Sequence, residues 1–142
     1  MNKKPFILAV DIATTFGWFD GVVGGSVKMT KDGRYAEFLN FMQPLIKNRG
    51  YTHIVYEKVD KTLGNWTLVY CGLRAILIAC ALNSGCKIAA IPVTEIKLKF
   101  TGDGRADKLK MIAEAIRRGH NPEDDNHADA IGLHYVFMEN YL

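Results

Sequence analysis

The chain has little of what staples, stiffens or anchors a protein. Four prolines occur in 142 residues, with no Gly/Ser linker, internal repeat or low-complexity stretch, which argues against disorder and against a solenoid. Three cysteines, Cys71, Cys80 and Cys86, are an odd number without CxxC spacing. They read as buried thiols in a reducing cytosol rather than as a disulfide or metal set. The longest apolar stretch, Leu68 to Leu82, is broken by Arg74 and is shorter than the roughly 20 residues a bilayer requires. Met1 to Pro5 followed by Phe6 to Val10 faintly imitates a signal peptide, but the run is short and ends in Asp11, so a core strand is the better reading. These absences predict a soluble cytoplasmic protein, with no membrane association, that folds as one domain over residues 1–142.

Charge is present in a pattern. The formal net charge is +3, and between Val93 and His120 seven Lys and Arg face four Asp and Glu, so this segment carries the whole excess. From Asn121 onward come Glu123, Asp124, Asp125, Asp129 and Glu139 with no Lys or Arg. A basic segment feeding an acidic cluster suits a metal-using enzyme with a polyanionic substrate. By charge alone, a solvated amphipathic helix followed by an acidic cap is the better reading.

Hydrophobic periodicity orders the chain. Phe6 to Asp11 predicts a buried strand ending in a carboxylate, with punctuation at Phe16-Gly17. Two further short strands joined by tight turns are expected across Trp18 to Gly25. Tyr35 to Ile46 has helical spacing and Gly50 as a terminator. Thr52 to Glu57 is a second strand ending in an acid. Asn65 to Asn83 forms a long apolar helix, and Lys87 to Ile91 a strand stopped by Pro92. Helices follow over Thr94 to Phe100, Ala106 to Gly119 and Asp125 to Tyr141. A three-stranded meander followed by alternating helices and strands implies an α/β fold with a mixed sheet covered by helices.

Three features concentrate chemistry. Asp11 and Glu57 each end an apolar strand, where an isolated carboxylate is costly to bury. If the strands are neighbours, the two acids repel unless a proton or cation lies between them. On a helix Asp125 and Asp129 are i, i+4 neighbours, about 5–6 Å apart at Cβ, so their like charges also call for a cation. Asp124 or Asp125 serves equally well as an N-cap. Hard oxygen ligands without Cys/His spacing favour Mg²⁺ or Mn²⁺ over Zn²⁺. Two such ions roughly 3.5–4 Å apart would activate a water and stabilise the leaving oxygen in phosphodiester hydrolysis.

The stretches Ala9 to Trp18, Val55-Tyr56-Glu57, Gly72 to Ala75, Thr101 to Lys108 and Asp124 to Ala130 together resemble the RuvC family of Holliday-junction resolvases, especially its short, phage-type members. The resemblance implies a ribonuclease H-like fold, a homodimer, and Mg²⁺-dependent paired nicks across a four-way DNA junction, in a bacterial or phage-infected cell. It gives Asp11 the role of the strand-end aspartate, Glu57 that of the second acid, and Asp129 that of the closing-helix aspartate. The fourth ligand, three residues earlier in some members, falls here on Asn126. Asp125 or His127 then substitutes, and helical geometry favours Asp125, because residues two apart do not share a face. Lys97, Lys99, Arg105 and Lys108 resemble the residues that hold phosphates beside the metals.

Trp18 and Trp66 offer either core packing or stacking on unpaired bases. No aromatic follows Glu57 near Lys58-Val59-Asp60, where well-studied relatives carry one. The helix from Asn65 is apolar around much of its circumference, so it is wholly buried or covered by a partner, and the resemblance assigns it to the dimer. Asp11 to Thr15 also resembles the phosphate loop of actin-like ATPases and sugar kinases, which need a second lobe that 142 residues do not supply. A flap nuclease and a non-catalytic junction binder remain as rivals.

Overall fold

The computed structural model describes residues 3–59 and 64–142. Met1 and Asn2, in the signal-like stretch, and Asp60, in the stretch after Glu57, lie outside the described residues. The elements are β1 (Ile7–Asp11), β2 (Thr15–Phe19), β3 (Gly24–Lys28), α1 (Arg34–Arg49), β4 (His53–Lys58), α2 (Asn65–Asn83), β5 (Lys87–Pro92), α3 (Val93–Thr101), α4 (Lys108–Arg117) and α5 (Asp125–Asn140). The sheet order is β3-β2-β1-β4-β5. β1, β2 and β3 form an antiparallel meander, and β4 and β5 continue from β1 in parallel.

β1 is central, and all five of its residues are buried. That is why Ile7 to Val10 is apolar without alternation: a strand covered on both faces has no solvent side. Its side chains still divide by period two. Ile7 and Ala9 join Val55, Ile91, Phe100, Met111 and Ile131 in the core beneath α3, α4 and α5. Leu8 and Val10 join Ile54, Phe38, Met42, Leu73 and Leu77 beneath α1 and α2. The mixed, helix-covered sheet inferred from the sequence is therefore present.

Several boundaries differ from the periodicity. Gly17 is not a break: β2 runs through it. α4 starts at Lys108 rather than Ala106, because the Asp107 carboxylate accepts the Lys110 N–H at 2.9 Å and caps the helix there. α1 continues to Arg49 despite Pro44, ending where Gly50 turns left-handed at φ 77°. Cys80 and Cys86 are buried as expected, but Cys71 is exposed. It lies on the outer side of α2, whose opposite face carries the buried Tyr70, Leu73, Leu77 and Ala81. α2 is long and apolar enough by composition to cross a membrane, yet this inner face packs against the core. Outside, Leu68 and Leu82 are 71% and 60% exposed.

The β2–β3 turn is held by Asp20, which the periodicity did not single out. Its carboxylate accepts the N–H groups of Val22 and Val23 at 2.9 and 2.8 Å, the Tyr51 hydroxyl at 2.8 Å and Arg49 Nε at 3.0 Å. Burial pushes this carboxyl up, but the Val23 N–H, the Tyr51 hydroxyl, the Val22 N–H and the Arg49 charge outweigh it and leave it below its ordinary value of 3.8. A lowered carboxyl adds stability above its unfolded pKa, and the gain is lost as pH falls through the folded value. Asp20→Asn is therefore expected to cost about 1–3 kcal/mol at neutral pH and far less near pH 2.5. Denaturant melts of both proteins at the two pH values measure this, and an equal cost at both would remove the ionic role.

Candidate functional site

The parallel pairing of β1 with β4 runs to Val10↔Tyr56, which sets the next residues, Asp11 and Glu57, side by side at the carboxyl ends of the strands. α5 crosses this end of the sheet and brings its first turns, with Asp125 and Asp129, to the same place. It can come so close because Gly17 lacks a side chain: a Cβ there would lie 1.9 Å from the Asn126 carbonyl oxygen. Gly17 is the register partner of Asp11, so the residue that admits the helix is the one beside the first acid.

The four carboxylates act on one another. Burial pushes Asp11 well above the ordinary carboxylate range, and the charges of Glu57 and Asp129, a side-chain hydrogen bond with Glu57 and the charge of Asp125 add to it. Burial also raises Glu57, against the hydrogen bond from Asp11 and the Lys97 charge. Asp129 is pushed up to about 7, by burial first and then by Glu57 and Asp125. Negative charge is thus disfavoured at Asp11, Glu57 and Asp129, and a cation among them would relieve what burial and the like charges impose.

This is the chemistry of a hard-cation site: oxygen donors only, mutually destabilised as anions, at the rim of a hydrophobic sheet. The residues fit a divalent ion in donor type and in neighbourhood. Among the described residues no three His, Cys, Asp or Glu side chains are placed closely enough to hold a metal ion as they stand, so the fit rests on donor type and shared position.

His127 does not join them. It is buried with Nδ1 accepting the Glu123 N–H at 2.9 Å, its ring beside Phe19 and Nε2 2.9 Å from where a Gly24 Cβ would stand. The charges acting on it are those of Glu123, Asp124 and His120, not those of the cluster. Asp124 is the N-cap of α5, accepting the His127 N–H at 2.9 Å. Asp125 is thereby left for the cluster, where geometry on a helix had put it.

The basic quartet divides. Lys97, one turn into α3, acts on both Glu57 and Asp129, and Lys108 lies 3.7 Å from Asp125. Lys99 turns away, 3.3 Å from Glu95 and over the Tyr141 ring. Arg105 is exposed on the α3–α4 loop, where its N–H donates to Asp103. Trp18 packs on Phe41 and Trp66 on Tyr70, both half-buried against the α1–α2 core.

Sequence reasoning missed Glu123, which accepts the Ser26 N–H at 3.0 Å and ties the start of α5 to β3. It also misread Gly17, whose placement inside a strand was the available signal, since a glycine there marks close backbone approach.

No family model matches the chain. Over 118 residues, 80% of the chain, it is 30% identical to the crossover junction endodeoxyribonuclease RuvC of Gloeobacter violaceus, covering 67% of that protein. The RuvC of an Anaeromyxobacter species is 29% identical over 115 residues, and there the chain spans 56% of the relative's length. Among solved structures, Thermus thermophilus RuvC superposes with a TM-score of 0.75 at 15% identity, over 94% of this chain and 95% of that one. The same protein in complex with a Holliday junction substrate gives 0.80 at 14% identity, over 95% and 93%. The mixed sheet with its helices is thus the ribonuclease H-like fold of those structures.

Crowded acids leave a signature in the metal-free protein. A carboxyl whose pKa is raised on folding contributes stability below its unfolded value and loses it as pH rises through the folded value, here about 7 for Asp129. In chelator, Asp129→Asn is expected to be more stable than the parent by on the order of 1–3 kcal/mol at pH 8, with the gain vanishing toward pH 4. Denaturant titrations at the two pH values decide it. A variant less stable than the parent at pH 8 would show that Asp129 is not under repulsion.

Proposed function

Because the chain belongs to the RuvC family of crossover junction endodeoxyribonucleases, we propose that it resolves four-way DNA junctions by hydrolysing phosphodiester bonds as paired nicks. The observation that carries this reading is the convergence of Asp11, Glu57, Asp125 and Asp129 at one end of the sheet, where burial raises Asp11, Glu57 and Asp129 and the neighbouring carboxylate charges raise Asp11 and Asp129 further. These four would hold Mg²⁺ or Mn²⁺, two ions per site. The ions would supply the positive charge that activates a water and stabilises the leaving oxygen.

The chain's own residues do the rest. Asp11 and Glu57, fixed by the β1–β4 pairing, define one side of the site. Asp125 and Asp129 define the other, at a height set by Gly17. Lys97 and Lys108 border the acids and would hold the phosphates flanking the scissile bond, a sequence-independent contact that makes binding fall with salt. Lys99 and Arg105 would reach the backbone farther along an arm. No side-chain nucleophile is required.

The exposed Leu68 and Leu82 on α2 support burial of that face by a second copy. A two-fold dimer would place two sites on symmetry-related strands, which paired nicking needs. One sheet with a core on each face supports a single nuclease domain over residues 1–142. Three free cysteines accord with a cytoplasmic setting.

The test incubates the protein with four-way junction, flap and linear duplex substrates, with and without Mg²⁺ or Mn²⁺. Symmetric nicks confined to the junction are expected. Equal cutting of flaps would indicate a broader branched-DNA nuclease, and binding without cleavage in either ion would refute the enzyme. Asp11→Asn is expected to lower cutting by at least about a hundredfold, the scale of a lost metal ligand or oriented charge. It should retain junction binding in a gel-shift assay, since the basic surface is untouched. Full activity in that variant would discard the cluster.

A further inference from the structure

At the end of the sheet opposite the carboxylates, the segments leading into β1, β4 and β5 enclose a cleft of about 650 Å³. Lys3, Lys87, His53, Thr52, Ser84 and Tyr51 line it, and no carboxylate does. Four residue steps along β4 separate His53 from Glu57, roughly 13 Å at about 3.3 Å per residue. Cleft and acid cluster are therefore separate sites.

The charges facing the cleft are uncompensated. Lys3 and Lys87 have no ion-pair partner among the described residues. Their fields are felt at and beside its walls: Lys87 adds to burial in holding the His53 imidazole below its ordinary value, and Lys3 opposes burial at the thiol of Cys86, which lies between the lining residues Gly85 and Lys87 in the chain. Lys47 stands beyond Ser84 in an adjoining cavity. The nearby acid, Asp20, is already engaged by Arg49 and by Tyr51, itself a wall of the cleft. The carbonyls of Ala81 and Leu82 at the end of α2 accept the N–H groups of Ser84, Gly85 and Cys86, which moderates the negative end of that helix.

We propose that this cleft is a phosphate-binding site, with Lys3 and Lys87 as the charged pair and Ser84 and His53 as hydrogen-bonding partners. A dianionic phosphate matches two ammonium groups held about one space, and its oxygens accept from donors on several sides. His53 Nδ1 lies 2.8 Å from the Thr52 hydroxyl, which leaves Nε2 for a ligand; it donates to a phosphate oxygen when it carries the ring proton or when the ring is protonated on binding. The phosphate group is either free, as in inorganic phosphate or a nucleotide, or part of a nucleic-acid backbone. The proposal does not depend on the nuclease reading, because its test reads the cleft and not cutting.

The experiment follows the His53 ring resonances of the full chain by NMR. Sodium phosphate and, separately, a short unbranched DNA duplex are titrated in at fixed pH and constant ionic strength balanced with chloride. A saturable His53 shift with phosphate is expected, weakened about tenfold in Lys87→Gln, the loss of one charge-assisted contact. Lys3→Gln should weaken it similarly, and Lys31→Gln, at the other end of the molecule, should leave it unchanged. A saturable shift with the duplex alone, with the same dependence on Lys3 and Lys87, supports the site and assigns it to backbone phosphate. No saturable shift with either probe overturns the proposal, as does a shift that survives both lysine substitutions.

Discussion

Carboxylates that repel one another, fixed at the end of a hydrophobic sheet, are the constraint around which this molecule is arranged. Asp11 is buried beside Glu57, with Asp129 and Asp125 in range. In isolation such a group would relax by moving apart. It does not, because each acid is pinned by something that burial stabilises. Asp11 ends a strand enclosed on both faces, Glu57 lies near the end of β4, whose Ile54 and Val55 divide between the two cores, and the α5 acids ride on a helix lined with Ala128, Ile131 and Leu133. Apolar packing holds in place an electrostatic arrangement that is unfavourable until an ion or a proton occupies it. This trade is common at functional sites, where local stability yields to preorganised charge.

Fixing α5 takes several small devices. Gly17 removes a Cβ that would strike the Asn126 carbonyl. Asp124 caps the helix, Glu123 reaches across to Ser26 on β3, and His127 folds back to accept the Glu123 N–H. The acidic run 123–125 thus does three different things: Glu123 ties, Asp124 caps, and Asp125 faces the cluster. A histidine that looked like an alternative ligand is instead part of the brace. The same separation appears among the cations, where Lys97 and Lys99, two residues apart on α3, point to different sides, the first toward the acids and the second toward Glu95 and Tyr141.

Much of this was legible in the sequence. Ile7 to Asp11 and Ile54 to Glu57 announce strands that end in acids, because an apolar run closed by a carboxylate has few other uses. The limits of α2 follow from its length and uniform apolarity. What remained hidden depends on tertiary approach. Gly17 reads locally as a turn residue, and only the passage of α5 explains it. Asp20 looks like ordinary turn chemistry, yet it gathers Arg49 from the end of α1 and Tyr51 from just beyond it. Which of Asp125 and His127 stands nearer the other acids depends on where the helix starts, which a side-chain cap sets within one residue. The exposure of Cys71 could not be told from burial on a helix that is apolar on all sides.

The order in which the acids occur along the chain has its own consequence. β1 supplies the first, β4 the second, and α5 the remaining two, so contacts separated by more than a hundred residues complete the cluster. Such long-range closure is slow compared with local helix formation. A ribosome translating this message would have released β1, β4 and both cores' early strands into solution well before Asp129 existed. A polypeptide stalled upstream of α5 therefore carries at most half of the acids, and the cluster cannot assemble on an unfinished copy.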